Sequence, residues 1–208
     1  GLYLARKLCL AGHQMTVFEK KGQIGNSACS GLFSEKILEH IPQSKKLILN
    51  RIRFALINFP KKQIRLEFRS DFLVMSHFEL DRLAADLAFE AGADIRLNQN
   101  ISEIPKSFDR VIGCDGPMSF TRRSLGFKDP EYRLGILGFR RGRISADFVE
   151  TWLLKNGGFI WKIPRGENTE YGIMADPGQA KKQLDSFLNQ RQIVLENIQS
   201  KLIPGGLV

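Results

Sequence analysis

The chain has 208 residues and only three cysteines, Cys9, Cys29 and Cys114, at unrelated spacings. That excludes a disulfide framework and a paired-cysteine zinc site, so no metal is expected and a reducing, cytoplasmic setting follows. No run of about 18 apolar residues exists, so no segment reads as a membrane-spanning helix. Tyrosine and tryptophan are scarce (three and two) beside fifteen phenylalanines, which suggests a dry interior or an apolar pocket. Acid is in deficit: 22 Asp and Glu against 31 Lys and Arg leave a net charge of +9. The basic residues fall in scattered pairs such as Lys45-Lys46, Lys61-Lys62 and Arg122-Arg123. They lack the interleaved aromatics of single-strand binders, and no nucleic acid partner is expected. The surplus suits an anionic ligand such as a dinucleotide, or peripheral contact with an anionic membrane. With 43% hydrophobic and 25% charged residues the composition is that of a globular protein, which excludes disorder.

The pattern of elements is mixed α/β. The opening residues recur at helical spacing (Leu4, Leu8 and Ala11), with Gly12 as terminator. Gln14 to Lys20 reads as a short buried strand, followed by the glycine- and serine-rich loop GQIGNSACSGLF and a short helix through His40 capped by Ser34. RIRFALINF and QIRLEF flank Pro60-Lys61-Lys62 as an antiparallel hairpin, with FLVM as a further strand. Leu80, Leu83, Ala84, Leu87, Ala88 and Ala91 form the apolar face of a helix ended by Gly92. DIRL reads as a strand, and Asp109 to Gly116 as a buried strand running into a tight turn. LGILGFRR, DFVETWLL, GFIWKIP and TEYGIM read as four more strands. Asp176-Pro177 then predicts a long helix to about Leu202, with Asp as N-cap.

Parallel-type βα units (1–50 and 77–128) therefore alternate with antiparallel pieces (51–76 and 129–175), which predicts two interleaved domains, 1–50 with 77–128 and 51–76 with 129–203. A helix opening directly on Gly1 and a closing Ile-Pro-Gly-Gly-Leu-Val turn suggest a piece of a longer protein.

Helix, strand and acid come in the order of a dinucleotide-binding unit. Gly1 opens the helix and Glu19 ends the next strand 18 positions later (19 minus 1), near the roughly 20 of the glycine-rich fingerprint. A carboxylate there accepts two ribose hydroxyls, and Lys20 adds positive field. The same residue also reads as a strand-ending surface glutamate. Gly113 to Ser119 (GCDGPMS) delivers Asp115-Gly116-Pro117 into a serine-capped helix, which puts a carboxylate and free backbone N–H groups at a strand end. Taken alone, Asp-Gly-Pro is also an ordinary turn.

Over nearly its whole length the chain resembles FAD-dependent oxidoreductases of the group that includes aromatic-ring hydroxylases and geranylgeranyl reductases. FEKKGQIGNSACSGLF is similar to the segment carrying the ribose acid and a Cys-Gly pair near the isoalloxazine, and VIGCDGPMSFTRRSLG to the motif at the flavin pyrophosphate. GGFIWKIPRG is similar to a reductase motif Tyr-x-Trp-x-Phe-Pro, with Phe159, Trp161, Ile163 and Pro164 at the four positions. The family's proteins extend further at both ends.

The resemblance implies an α/β fold in which a Rossmann-type FAD-binding domain is interleaved with an antiparallel-sheet substrate domain. It implies FAD as cofactor, bound through Gly1, Glu19, Lys20, Ser30, Gly31, Asp115 and Gly116. His77 stands where the family carries an arginine at the flavin, and Arg82 compensates. The implied reaction is saturation of C=C bonds in geranylgeranyl chains of lipids or prenyl diphosphates, with NAD(P)H or another reductant as electron donor. Cys29 is the candidate catalytic residue, with Cys29 or a flavin-bound water as proton source; Phe159, Trp161 and Pro164 are the candidate substrate wall. Alternatives stay open: a monooxygenase on the same scaffold, a flavin-binding piece without activity, a Cys29 without a role, and Phe159 and Trp161 as plain core.

Overall fold

The computed structural model describes residues 1–25, 28–155 and 157–205. Asn26 and Ser27 of the glycine- and serine-rich loop, Asn156, and residues 206–208 of the closing turn lie outside them. In chain order the elements are α1 (Leu2–Leu10), β1 (Thr16–Phe18), β2 (Leu32–Ser34), α2 (Ile37–His40), a 3-10 turn (Pro42–Leu47), β3 (Ile48–Asn58), β4 (Gln63–Met75), α3 (His77–Glu90), β5 (Asp94–Arg96), α4 (Phe120–Ser124), β6 (Glu131–Arg141), β7 (Phe148–Leu153), β8 (Phe159–Arg165), β9 (Asn168–Ala175), α5 (Ala180–Gln190) and β10 (Glu196–Gly205). They fall into two compact units, each assembled from separate stretches of chain. Residues 1–25 and 78–131 make the first; the described residues of 28–77 and 132–205 make the second. Residues 28–50, grouped by sequence with the FAD-binding piece, cluster in the second unit.

In the first unit, β1 and β5 pair in parallel, Val17 opposite Ile95. Ala5, Ala88 and Ala93 are its buried centre, with Cys9, Met15, Val17 and Ile95 packed around them. Alanine at the helical positions lets α1 and α3 lie close to the strands. Gly12 (φ +89°) and Gly92 (φ +96°) supply the left-handed turns beyond α1 and α3 that other residues adopt at a cost. The strand expected over 109–116 does not form: these residues are exposed and irregular. Val111 and Ile112 have strand character, but a strand needs a ladder partner, and the described two-stranded sheet is complete with β1 and β5.

The second unit is an eight-stranded mixed sheet in the order β10-β6-β9-β8-β7-β3-β4-β2. The expected hairpin is present as β3 and β4, closed by Asn58 opposite Gln63 and by Phe59 N–H donating to Lys62 O. FLVM is the second half of β4 rather than a separate strand. The four expected strands are β6 to β9, antiparallel from β7 through β8 and β9 to β6. The β3–β7 pair is parallel. On one face, Leu184, Phe187 and Leu188 of α5 pack over Ile136, Ile160, Tyr171 and Ile173. Burying each such side chain contributes about 1.5–3 kcal/mol. Trp161 and Ile163 alternate with Ile160 along β8 and join the opposite cluster of Ile52, Ala55, Val74 and Val149.

Two helix predictions are corrected. The long helix after Asp176 stops at Gln190. Gln192 takes φ +54° and the Ile193 N–H returns to Leu188 O at 3.0 Å, a left-handed cap. The chain then leaves as β10 beside β6, where Gly135 and Gly138 admit Ile203, Leu195 and Ile198. Asp176 does not cap α5; its Oδ1 accepts from the Gly178 N–H at 2.9 Å, forming a local turn. Ser34 ends β2, and α2 begins only at Ile37, so Ser34 caps nothing beyond a 3.4 Å contact with the Lys36 N–H.

Candidate functional site

The second unit concentrates its buried polar groups around the turn between β8 and β9. Glu170 is fully buried, and the Arg165 side chain is 10% exposed. Arg165 donates to Glu170 Oε2, and the Trp161 indole N–H donates to Glu170 Oε1 at 2.8 Å. Burial pushes the Glu170 carboxyl up to about 7, against the pull of the Arg165 charge and of both hydrogen bonds. The Trp161 ring lies over Gly172, its partner on β9: a Cβ at Gly172 would stand 2.2 Å from the indole. Only glycine leaves room for the ring there.

Arg165 also fastens the loop that carries Cys29. It donates from Nη1 to Ser30 O at 3.0 Å and Cys29 O at 3.5 Å, and from Nη2 to Met75 O at 3.1 Å. Gly31, with φ +62°, lies flat against this assembly. A Cβ there would meet Met75 O at 2.1 Å and Arg165 Nη2 at 2.9 Å. The Met75 N–H donates to Gly31 O at 2.8 Å, extending the β2–β4 ladder by one step. One guanidinium thus joins β8, β9, the end of β4 and the cysteine loop.

Cys29 is half-buried and free. Burial pushes its thiol up. Hydrogen bonds from the His77 side chain and the Gly31 backbone, with the nearby His77 charge, overcome that and hold the thiol below its ordinary value, although Glu170 opposes them. The His77 ring stacks on Phe33 with centroids 5.8 Å apart and planes at 21°. Of the expected site residues, Cys29, Ser30, Gly31 and His77 are brought together here. Ser30 contributes a carbonyl to Arg165, and Gly31 has a full internal reason to be glycine. Phe159 and Trp161 are half-buried neighbours with centroids 5.8 Å apart. Pro164 is buried opposite Thr169, beyond the last β8 residue paired with β7, so its missing N–H costs the ladder nothing.

The first unit holds the other expected residues. Gly1 precedes α1, and no side-chain cap bond is made there among the described residues. A Cβ at Gly1 would lie 3.4 Å from Cys114 Cβ. Glu19 follows β1: its N–H donates to Arg96 O, and its Oε1 accepts from the Lys21 N–H at 2.9 Å. Lys20 is exposed beside it. Asp115 is turned onto α4, accepting from Ser119 Oγ at 2.5 Å and from Thr121 N–H at 2.9 Å. Burial works against these bonds, yet they hold its carboxyl below the usual carboxylate range. Gly116 has φ +80°, with open space where a Cβ would stand. Arg82 is exposed, its guanidinium 5.6 Å from the Phe78 ring centroid.

Arg165 and Glu170 are the functional-site residues absent from the sequence reading. The signal was there in PRGENTE, where an arginine and a glutamate flank a tight turn and so share one face of a hairpin. Without knowing which face is buried, they read as a solvated pair.

No protein-family model matches the chain, and no curated protein does. Solved structures match over nearly its whole length. A geranylgeranyl bacteriochlorophyll reductase-like protein from Thermoplasma acidophilum is similar with a TM-score of 0.81 at 19% identity, covering 98% of this chain and 63% of its own. CmlS, a flavin-dependent halogenase, is similar at TM-score 0.70 and 15% identity, over 97% of this chain and 47% of its own. PqsL, a probable FAD-dependent monooxygenase from Pseudomonas aeruginosa, is similar at TM-score 0.72 and 14% identity, over 99% and 70%. The chain therefore spans less than two thirds of the first two. At these identities the likeness is one of fold: the chain has the mixed α/β fold found in flavin-dependent oxidoreductases.

Proposed function

We propose that the chain is part of an FAD-dependent oxidoreductase that saturates C=C bonds of isoprenoid chains, in lipids or prenyl diphosphates. The observation that carries this reading is the Cys29 thiol, held below its ordinary value in a loop whose carbonyls are bonded by Arg165 of a buried Arg165–Glu170 pair. Such a group can hold and release a proton beside an apolar chain. The first unit fits the adenosine diphosphate half of FAD. Glu19 follows β1 with a carboxylate for ribose hydroxyls, Lys20 adds positive charge, α1 opens on Gly1 without a side-chain cap, and Gly116 presents open backbone. Asp115 would fix that turn through α4. Ser30, Gly31, His77 and Arg82 remain candidates for contact with the rest of the cofactor.

When bound, the flavin supplies the hydride, recharged by NAD(P)H or another reductant. Cys29 would hold at Sγ the proton for the second carbon, with His77 keeping that proton available. Phe159 would present an apolar surface that excludes water, with Trp161 on the same face of β8 and Pro164 on the other. Lys61 and Lys62, at a hairpin whose Ile64 and Leu66 are 40% and 48% exposed, support peripheral contact with an anionic membrane. No described helix is long and apolar enough to cross one.

The fold shared with a monooxygenase and halogenases supports a second reading, oxygen-dependent chemistry on the same flavin scaffold. The complete protein, loaded with FAD and reduced without oxygen, separates them. Conversion of a geranylgeranyl chain to its saturated product supports the reductase. Oxygen uptake stimulated by an aromatic compound, without that conversion, favours the monooxygenase. Absence of any retained flavin removes both.

A further inference from the structure

The paired residues of the β2–β4 ladder end at Leu32 opposite Val74, and one further bond, from Met75 N–H to Gly31 O at 2.8 Å, prolongs it. Past that step the backbone carbonyls need other partners, since a carbonyl withdrawn from water without one costs free energy. Arg165 supplies them. Its Nη1 donates to Ser30 O at 3.0 Å and to Cys29 O at 3.5 Å, and its Nη2 donates to Met75 O at 3.1 Å. Carbonyls from both sides of the ladder's end thus converge on one guanidinium.

That guanidinium is itself held. It donates to Glu170 Oε2, and it lies 5.4 Å from the centroid of the Phe139 ring on β6. Phe139 stands opposite Glu170 across the β6–β9 ladder, so ring and carboxylate reach the guanidinium from one register. The Trp161 indole N–H fixes the other carboxylate oxygen. Neutralising Glu170 requires one donor, which a lysine also offers. Reaching three carbonyls on two stretches of chain at the same time requires the planar fork, whose two terminal nitrogens point in set directions. The side chain is 10% exposed, so water competes little for these bonds.

From this convergence we infer that Arg165 is the positioning residue for the Cys29–Gly31 loop: its fork, set by Glu170, determines where that loop stands on the sheet. The inference rests on the proposed function, in which this loop carries the proton-holding thiol, and it adds the residue that places the loop. Arg165 acts through the backbone of residues 29 and 30 and supplies no proton itself. A shift of about 1 Å in a positioned group costs on the order of a hundredfold in rate, so these bonds bear on kcat rather than on binding of the prenyl chain.

The test is Arg165→Lys in the complete protein, which keeps a cation for Glu170 and removes the fork. Hydrogen exchange, read by mass on the flavin-free form, should quicken by about tenfold or more in peptides over 28–34 and stay at the native rate over 159–175. With FAD loaded, kcat for saturation of a geranylgeranyl chain should fall by about tenfold or more, with KM near native. Arg165→Met combined with Glu170→Gln removes both charges together and leaves no buried charge unpaired. It should free the same loop, and it serves if the lysine variant does not fold. Lys162→Met is the control: Lys162 lies on the other face of β8, paired with Glu150 at 2.8 Å, and its loss should leave exchange over 28–34 native. Native exchange over 28–34 in both Arg165 variants overturns the assignment. An equal rise over 28–34 and 159–175 does so too, since Arg165 is then a tie of the sheet alone. A native kcat beside a freed loop overturns its part in the reaction. A native protein that retains no flavin or converts no prenyl chain removes the proposed function, and the exchange comparison still decides what Arg165 does.

Discussion

The Trp161 indole N–H donates to Glu170 Oε1 at 2.8 Å, and the carboxyl that receives it is fully buried. Its other oxygen takes Arg165, which in turn holds the carbonyls of the cysteine loop and of Met75. The order of the cysteine loop is thus coupled to the state of one buried acid on a neighbouring hairpin.

That coupling has a pH signature. The Glu170 carboxyl is pushed up to about 7 in the folded protein, from 4.5 in its absence. The folded state therefore holds this proton more tightly than the unfolded chain does. Its contribution is full below about 4.5 and is lost as pH rises through about 7, on the order of 3 kcal/mol in all. Urea midpoints across pH 4.5–8 should fall more steeply for the native protein than for Glu170→Gln, which has no proton to lose. A native stability that rises across this window relative to the glutamine variant contradicts it.

Gly31→Ala should be among the most damaging single-methyl additions in the chain. The added carbon meets Met75 O at 2.1 Å and the backbone sits at φ +62°, so both sterics and conformation oppose it. A loss of about 2–4 kcal/mol is expected. Gly12→Ala is the control, with φ +89° but open space, and should cost only about 1–2 kcal/mol. Equal losses at the two positions would mean that the close approach to Met75 contributes nothing.

What the sequence made legible was whatever depends on near neighbours. The apolar face of α3, the Gly12 stop and the β3–β4 hairpin around Pro60-Lys61-Lys62 each repeat a short-range pattern, and each is present. The segment after Gln190 was misread because its apolar spacing suits a helix, while its actual conformation is decided by β6, more than fifty residues earlier in the chain. Residues 109–116 looked like a strand by composition, yet composition cannot provide a ladder partner. β2 was hidden for a related reason. Leu32 and Phe33 read as the end of the glycine- and serine-rich loop and Ser34 as a helix cap, and only pairing with β4 makes them a strand.

Glu19→Ala should strip flavin from the complete protein while leaving the thermal stability of the flavin-free form nearly unchanged. The lost Lys21 N–H bond is local and exposed, whereas two ribose hydroxyls on one carboxylate contribute about 1.5–3 kcal/mol each. The flavin-to-protein absorbance ratio after gel filtration measures this. Full retention of flavin by the variant would assign Glu19 to the turn alone.

Charge reversal at the β3–β4 hairpin should release the protein from anionic vesicles. Lys61 and Lys62 lie beside exposed Ile64 and Leu66, and each lysine near such a surface contributes about 1 kcal/mol. Co-sedimentation with phosphatidylserine vesicles should drop by about tenfold or more for Lys61→Glu with Lys62→Glu, and raised salt should weaken native binding. A native protein that stays in the supernatant at low salt rules out contact through this hairpin.

Trp161 and Phe159 share one face of β8, but their surroundings assign them different work. Trp161 is bonded to Glu170, stacked over Gly172 and packed on the Ile52–Val149 cluster. Trp161→Ala should therefore cost about 3–5 kcal/mol of stability. Trp161→Phe, which keeps a ring but leaves Glu170 one donor short, should cost about 1–3 kcal/mol. Phe159 lies at the start of the strand, half-buried and without a polar tie to offer. If it walls a prenyl chain, Phe159→Ala removes apolar contact worth about 25 cal/mol for each Å² lost to the chain. A loss of roughly 40 Å² then weakens a long substrate by about 1 kcal/mol, or about fivefold, and leaves a short one that never reaches the ring unaffected. Comparing kcat/KM for geranylgeranyl and geranyl substrates on this variant, with melting temperatures measured alongside, decides the matter. A uniform loss at both chain lengths, tracking a lowered melting temperature, would place Phe159 with Trp161 in the core.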